Sequence, residues 1–124
     1  SFTTDVCVPI SRLAECIVAT ERDTAASPLP CPILGHVGDG NFHVAILADP
    51  DDAAECEEAE QLNRRIVARA LAADGTCSGE HGVGLHKMDF LVDEHGADAV
   101  ELMARIKRAF DPLDILNPGK VLRV

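Results

Sequence analysis

Three histidines and a glutamate lie in two glycine-rich stretches of the chain, GHVGDGNFH at 35–43 and CSGEHGVG at 77–84. The first stretch contains His36 and His43, and the second contains Glu80 followed directly by His81. Two imidazoles and one carboxylate form a ligand set typical of open, catalytic metal sites. A further histidine beside such a set can transfer protons near neutral pH. The residue types therefore indicate metal-assisted acid–base chemistry, provided that the fold brings the two stretches together.

A predicted β-hairpin decides whether the two histidines of the first stretch meet. Segments 31–37 and 41–48 have the composition of strands, and Asp39-Gly40 between them is a strong hairpin turn signal. A turn centred on this dipeptide places His36 directly opposite His43, with Cβ atoms about 4.5–5.5 Å apart. Alternation then places one apolar set on the opposite face, against the helices: Ile33, Val37, Phe42, Val44 and Ile46.

The second stretch supplies the carboxylate. Glu80 is flanked by glycines, which permit unusual backbone angles and a close approach to another segment. A short strand at 76–78 would bring this loop beside the hairpin, so that Glu80 completes the ligand set while His81 points elsewhere and serves as a base. The same pattern also fits a functionless histidine pair on an exposed sheet face and a loop that is only a turn.

The other elements predict an α+β fold. A strand at 4–10 is followed by a helix capped by Ser11, and a long helix begins with Asp49 as its cap and ends before Gly75. Leu62, Ile66, Ala70 and either Ala73 or Leu71 form the buried stripe of that long helix. The order βαββα(β) predicts a ferredoxin-like antiparallel sheet with helices on one face. Two C-terminal helices are expected, from about Lys87 to Glu94 and through Val100 to Phe110.

Length and composition restrict the class of protein. The 124 residues suffice for one domain, and the net charge of −10 argues against a nucleic-acid partner, because phosphate binding needs a basic surface. No apolar run approaches the roughly 20 residues of a transmembrane helix. Five cysteines without a close pair favour free thiols in a reducing compartment, and hence a cytoplasmic location, with peripheral membrane association as an alternative for a longer parent protein.

Three motifs together resemble one family. GHVGDGNFHVAIL, GTCSGEHGVGLHK and FDPLDILNPGKVL, in this order, are similar to the C-terminal part of the FAD-linked oxidases. That family includes D-lactate dehydrogenases, the flavin subunit of glycolate oxidase and D-2-hydroxyglutarate dehydrogenase. The resemblance begins at TDVCVPISRL and implies that residues 1–124 are the C-terminal part of a cap domain. The FAD-binding domain would then lie outside this chain, which by itself should neither bind FAD nor turn over substrate.

The resemblance also implies roles for single residues. His36, His43 and Glu80 would bind a divalent metal, zinc in the members most similar in motif. His81 would take the hydroxyl proton of a small D-2-hydroxy acid while FAD accepts the hydride, and Asn41 would help to bind the substrate. Ala45 stands where many relatives carry a polar residue, which favours a small acid such as lactate or glycolate.

Two other classes of function compete with this hypothesis. A stand-alone ferredoxin-like module for binding or dimerisation would need no chemistry, and a metal-dependent hydrolase could use the same three ligands. A sheet face with Leu34, Ala45 and Leu47 uncovered would also favour a homodimer of the isolated chain.

Overall fold

The computed structural model describes residues 2–123, which form two compact units. The first unit ends at His81 and the second begins at Gly82. The first unit contains β1 (Phe2–Thr3), β2 (Val6–Cys7), α1 (Ile10–Ala26), β3 (Ile33–Leu34), β4 (Asn41–Ile46) and α2 (Ala53–Ala72). The second contains α3 (Phe90–His95) and α4 (Ala97–Phe110). No helix of the described residues combines the length and the apolar character needed to cross a bilayer.

Strand β4 is the centre of an antiparallel sheet. β1 and β2 pair with one side of β4 in a single shared register, and β3 pairs with its other side. Thr76 forms an isolated antiparallel bridge to Cys7, beyond β2. The predicted α+β fold with an antiparallel sheet is thus confirmed. The predicted strand at 76–78 is reduced to this bridge. The strand predicted at 4–10 is wrong in extent, because two short strands, β1 and β2, are found in this region and the second ends at Cys7.

The core lies between the sheet and the first two helices. Phe42, Val44 and Ile46 alternate along β4 and are at most 2% exposed. They share this core with the buried stripe of α2, where Leu62 and Ile66 are fully buried, as predicted. Burial of each such side chain stabilises the fold by about 1.5–3 kcal/mol. One face of β4 is therefore committed to packing, and the other face is left for chemistry.

The helix starts differ from the predictions by a few residues. Ser11 was predicted to cap α1, but the helix already begins at Ile10, and Pro9, with a φ of −51°, occupies the cap position. Asp49 was predicted to cap α2, but Asp52 does so by accepting hydrogen bonds from two backbone N–H groups of the first turn. Asp49 instead accepts from the backbone of Asp51 in the preceding turn. Three nearby aspartates compete for the cap, and the local turn selects the last one.

The second unit is built around α4 and the tail that follows it. α3 begins at Phe90 rather than near Lys87 and ends at His95, while α4 ends at Phe110 as predicted. The buried carboxylate of Asp111 accepts hydrogen bonds from the backbone N–H groups of Ile115 (3.0 Å) and Leu116 (2.9 Å). It also accepts from the Lys107 ammonium, and this hydrogen bond lowers the pKa of Asp111. The tail thus has a polar anchor, although its sequence has no periodicity.

Candidate active site

The loop between β3 and β4 is longer than the predicted turn. β3 pairs Leu34 with His43, so the predicted cross-strand pairing of His36 with His43 is wrong. His36 lies instead at the start of a 3₁₀ turn, Val37–Asp39, and Gly40 closes the loop with a φ of 76°. The pairing is shifted by two residues, and since side chains alternate with a period of two, the predicted faces of β3 and β4 are kept. The exception is Val37, which lies in the turn and is exposed.

The two histidines and Glu80 nevertheless converge. His43 Nε2 lies 2.9 Å from Glu80 Oε1, and His36 Nε2 lies 3.5 Å from the same oxygen. The rings of His36 and His43 are perpendicular, with centroids 6.2 Å apart. One ligand atom from each of the three residues lies within 4.8 Å of the others, so the set could hold one metal ion. The loop before β4 and the loop after Thr76 bring these atoms together, rather than a cross-strand pair.

The three side chains border an open cavity of about 470 Å³. His43 forms its floor, because its side chain is only 7% exposed, whereas the side chains of His36 and Glu80 are 63% and 48% exposed. The rest of the lining comes from Thr3, Leu34, Gly35, Ala45 and His81. The cavity falls within the size range of small-molecule sites. It is large enough for a small organic acid.

His81 lies at the same site, whereas the sequence had suggested that it would point elsewhere. Its Nε2 is 3.6 Å from Glu80 Oε1, and its ring centroid is 5.0 Å from that of His43. The reason is the turn that Glu80 and His81 share, in which both backbone N–H groups donate to one carboxylate, that of Asp5. A half-exposed imidazole thus stands beside the three potential ligands, within reach of a molecule in the cavity.

Asp5 is a site residue that the sequence motifs did not predict. Its side chain is 1% exposed and accepts hydrogen bonds from Glu80 N (3.0 Å), His81 N (2.8 Å) and Ser78 Oγ (3.4 Å). The only sequence signal was an acidic residue inside the otherwise apolar strand TDVCVPI. Such a residue indicates a buried carboxylate with specific partners, because an unpaired one would be costly.

Asn41 lies behind the site. Its buried side chain donates from Nδ2 to Asp5 Oδ1 (2.9 Å) and to the carbonyl of Val6 (3.1 Å). These contacts commit its amide N–H groups to the protein, so they support a role in positioning Asp5. Contact of Asn41 with a substrate stays a prediction.

Gly79 allows the second loop to approach this close. A Cβ atom at position 79 would lie 1.9 Å from Asn41 Nδ2 and 2.8 Å from Asp5 Oδ1. The close approach expected of the glycines around Glu80 is therefore present at Gly79.

Among residues 2–123, the cysteines and the other histidines belong to no group of potential metal ligands. All five cysteines are free thiols, as predicted, and burial raises the pKa of Cys16 and of Cys31, which lowers the reactivity of both. His95 ends α3, and its Nε2 lies 3.6 Å from Oε1 of the neighbouring Glu94. His86 is exposed.

Comparison with known proteins identifies a family. The family model described as FAD linked oxidases, C-terminal domain, matches residues 1–121. The chain is 51% identical over 122 residues to D-lactate dehydrogenase [cytochrome], mitochondrial, of Arabidopsis thaliana, covering 98% of this chain and 22% of that protein. It is 48% identical over 123 residues to D-lactate dehydrogenase [cytochrome] 1, mitochondrial, of Saccharomyces cerevisiae, covering 98% and 20%.

A bacterial relative has a different name. Glycolate oxidase subunit GlcD of Bacillus subtilis is 37% identical over 117 residues, covering 94% of this chain and 25% of that protein. The chain thus spans between a fifth and a quarter of the length of these relatives. Since the family model extends over nearly the whole sequence, the chain belongs to the C-terminal domain family of the FAD-linked oxidases.

Proposed function

We propose that this chain is the C-terminal, substrate-facing part of the cap domain of an FAD-dependent D-2-hydroxy-acid dehydrogenase of the D-lactate or glycolate type. The observation that carries the proposal is the convergence of His36, His43 and Glu80 on one point, with His81 beside them. The names of the relatives support a hydroxy-acid substrate. A stand-alone binding module would have no need of this arrangement at the floor of a cavity.

The residues fit a divalent metal, and zinc suits them best. Two imidazole nitrogens and one carboxylate oxygen leave a coordination position open, as in catalytic zinc sites. His43 meets a further requirement, since a carboxylate lies beside its other ring nitrogen. When bound, the metal would polarise the hydroxyl and carboxylate of the substrate as a Lewis acid, and FAD would accept the hydride. A cation would also attract an acidic substrate to a chain of net charge −10.

His81 is the proposed general base. Its side chain is 54% exposed, so its imidazole is accessible to a substrate in the cavity. It would take the proton of the substrate hydroxyl group while the carbon that carries this hydroxyl gives its hydride to FAD. The Glu80 carboxylate, 3.6 Å from His81 Nε2, would help to orient the ring.

The cavity lining favours a small substrate with one carboxylate. Thr3, Leu34 and Ala45 are uncharged, and the described residues that line the cavity include no lysine or arginine. A second carboxylate on the substrate would find no cationic partner in this lining. A short substituent, such as hydrogen or methyl, fits it better.

The preceding FAD domain, the location and the oligomeric state are further parts of the proposal. FAD would be supplied by a domain that precedes this sequence in a longer protein, as the length of the relatives supports. The mitochondrial names of the plant and yeast relatives favour an organelle over the predicted cytoplasm. Leu34 and Leu47 are 57% and 46% exposed, which would favour a dimer of the isolated chain.

Metal analysis of the purified chain tests the ligand set. We expect close to one equivalent of zinc in the wild type and in His95→Ala, and strong loss in His36→Ala and Glu80→Ala. His95→Ala is the matched control, because it removes a surface histidine of the second unit. Equal and negligible metal in all four proteins would refute the metal site.

The flavin reaction tests the base. In the longer protein, anaerobic D-lactate should bleach the flavin absorbance, and His81→Asn should slow this step by about 10²–10⁴-fold. Substrate binding, measured separately by flavin perturbation, should persist. Bleaching at the wild-type rate in His81→Asn would contradict the assignment.

A further inference from the structure

Two potential donor sets in the first unit share His43. One contains His36 and Glu80, and the other contains Asp5 and His81. A carboxylate offers about four lone-pair positions. Those of Asp5 are already taken by four donors: Asn41 Nδ2, Ser78 Oγ, Glu80 N and His81 N. Asp5 is therefore poorly suited to bind a metal.

We infer that Asp5 is a positioning residue, which orients His43 from one side and the Glu80–His81 turn from the other. This role deepens the proposed function and rests on it, because the orientation of these side chains serves metal binding and proton transfer only if that function is correct. The hydrogen bonds themselves stand independently of any metal.

Asp5 holds the backbone of the Glu80–His81 turn. Glu80 and His81 both donate their backbone N–H groups to Asp5, at 3.0 and 2.8 Å, and the N–H of Gly79 lies 3.4 Å from the Asp5 carbonyl oxygen. One buried residue thus holds three successive backbone N–H groups. The side chains of the proposed ligand and the proposed base have their origin in this turn, so Asp5 fixes the origin of both.

Asp5 also faces His43. β1 and β2 share one register on β4, which places Asp5 directly opposite His43. His43 Nδ1 lies 3.4 Å from Asp5 Oδ1, outside hydrogen-bond geometry, and this buried nitrogen has no hydrogen-bond partner among the described residues. Nε2 lies 2.9 Å from Glu80 Oε1, so both ring nitrogens of His43 face a carboxylate. A metal bound at Nε2 would require a lone pair there, which leaves the ring proton on Nδ1, facing Asp5.

Asp5 is itself held in place by Asn41. Asn41 donates to Asp5 Oδ1 and to the carbonyl of Val6, so the amide holds the carboxylate against its own strand. Asp5 is 1% exposed, and water does not compete for these bonds. A carboxylate fixed in this way can transmit a defined geometry to His43 and to the Glu80–His81 turn, where Glu80 is 75 residues away in sequence.

Asp5→Asn in the full 124-residue chain tests the inference, with Co²⁺ as the probe. The amide nearly keeps the shape but replaces one acceptor by a donor that faces N–H groups. We expect Co²⁺ to bind about 10–100-fold more weakly, the range typical when a partner of a metal ligand is changed. The visible absorption of bound Co²⁺ should also change, and the amides of Glu80 and His81 should exchange faster.

Asp111→Asn is the matched control, because Asp111 is also a buried carboxylate that accepts two backbone N–H groups, but in the second unit. It should leave Co²⁺ affinity within about twofold of wild type. A folded Asp5→Asn protein that binds Co²⁺ with wild-type affinity and spectrum would overturn the inference.

Amide exchange in the wild type covers the remaining cases. If Asp5→Asn does not fold, slow exchange of the Glu80 and His81 amides in the wild type supports the positioning role, and exchange at the rate of an unprotected loop overturns it. If the wild type binds no Co²⁺, the metal proposal fails, and the same exchange measurement still decides the role of Asp5.

Discussion

Gly79→Ala tests whether the second site loop needs a glycine in order to lie this close to Asn41 and Asp5. The new Cβ would lie 1.9 Å from Asn41 Nδ2, whereas an ordinary contact begins at 3.4 Å, so one group must move by about 1.5 Å. If Asn41 moves, its hydrogen bonds to Asp5 and Val6 are broken. If the loop moves instead, the hydrogen bonds that Asp5 accepts from that loop are lost. Either shift should lower the free energy of unfolding by about 2–3 kcal/mol.

Urea denaturation of the 124-residue chain measures this loss, and Gly38→Ala is the matched control. Gly38 lies in the other site loop, its φ is outside the left-handed region, and an added Cβ would meet no atom within 4 Å. Its substitution should change stability by at most about 0.5 kcal/mol. Equal stability of the two variants, with unchanged amide shifts of Glu80 and His81, would refute the reasoning.

Two further predictions concern other carboxylates. Asp52→Ala removes the cap of α2 and should lower the free energy of unfolding, measured by urea denaturation, by about 1 kcal/mol. Asp49→Ala, at the cap position predicted from sequence, should lower it clearly less. The reverse order would contradict the observed cap. The Lys107 hydrogen bond lowers the pKa of Asp111, so its stabilisation of the tail is fully present above the unfolded carboxyl pKa, about 3.9, and is lost as pH falls through the lower folded value. The backbone amides of Ile115 and Leu116 should therefore keep slow hydrogen exchange until below about pH 4, and they should lose it in Asp111→Asn. The same dependence of amide exchange on pH in Asp111→Asn as in the wild type would exclude the anchor.

Local patterns determined much of the fold. The alternation of Phe42, Val44 and Ile46 determined which face of β4 is buried, and the spacing of Leu62 and Ile66 determined the buried stripe of α2. Both signals depend only on the period of a strand or a helix, so the sequence contains them in full. Helix caps were less certain, because more than one residue near each start could serve and only the local turn selects among them.

The residue types of the site were also evident from sequence. Histidines and a glutamate in glycine-rich stretches suggested one shared site, and the structure brings His36, His43 and Glu80 together. The route by which they meet was predicted incorrectly, since the loop before β4 is longer than a two-residue turn.

Only the tertiary structure revealed Asp5 and the position of His81. The hydrogen bonds from the backbone of Glu80 and His81 to Asp5 join residues that are 75 and 76 positions apart. No local period reports such a contact, because it depends on strand β2, the Thr76 bridge and the missing side chain of Gly79 acting together. The sequence by itself determined which groups could do the chemistry, and tertiary packing decided where those groups lie, because the backbone of Glu80 and His81 is held by a buried carboxylate from the distant segment between β1 and β2.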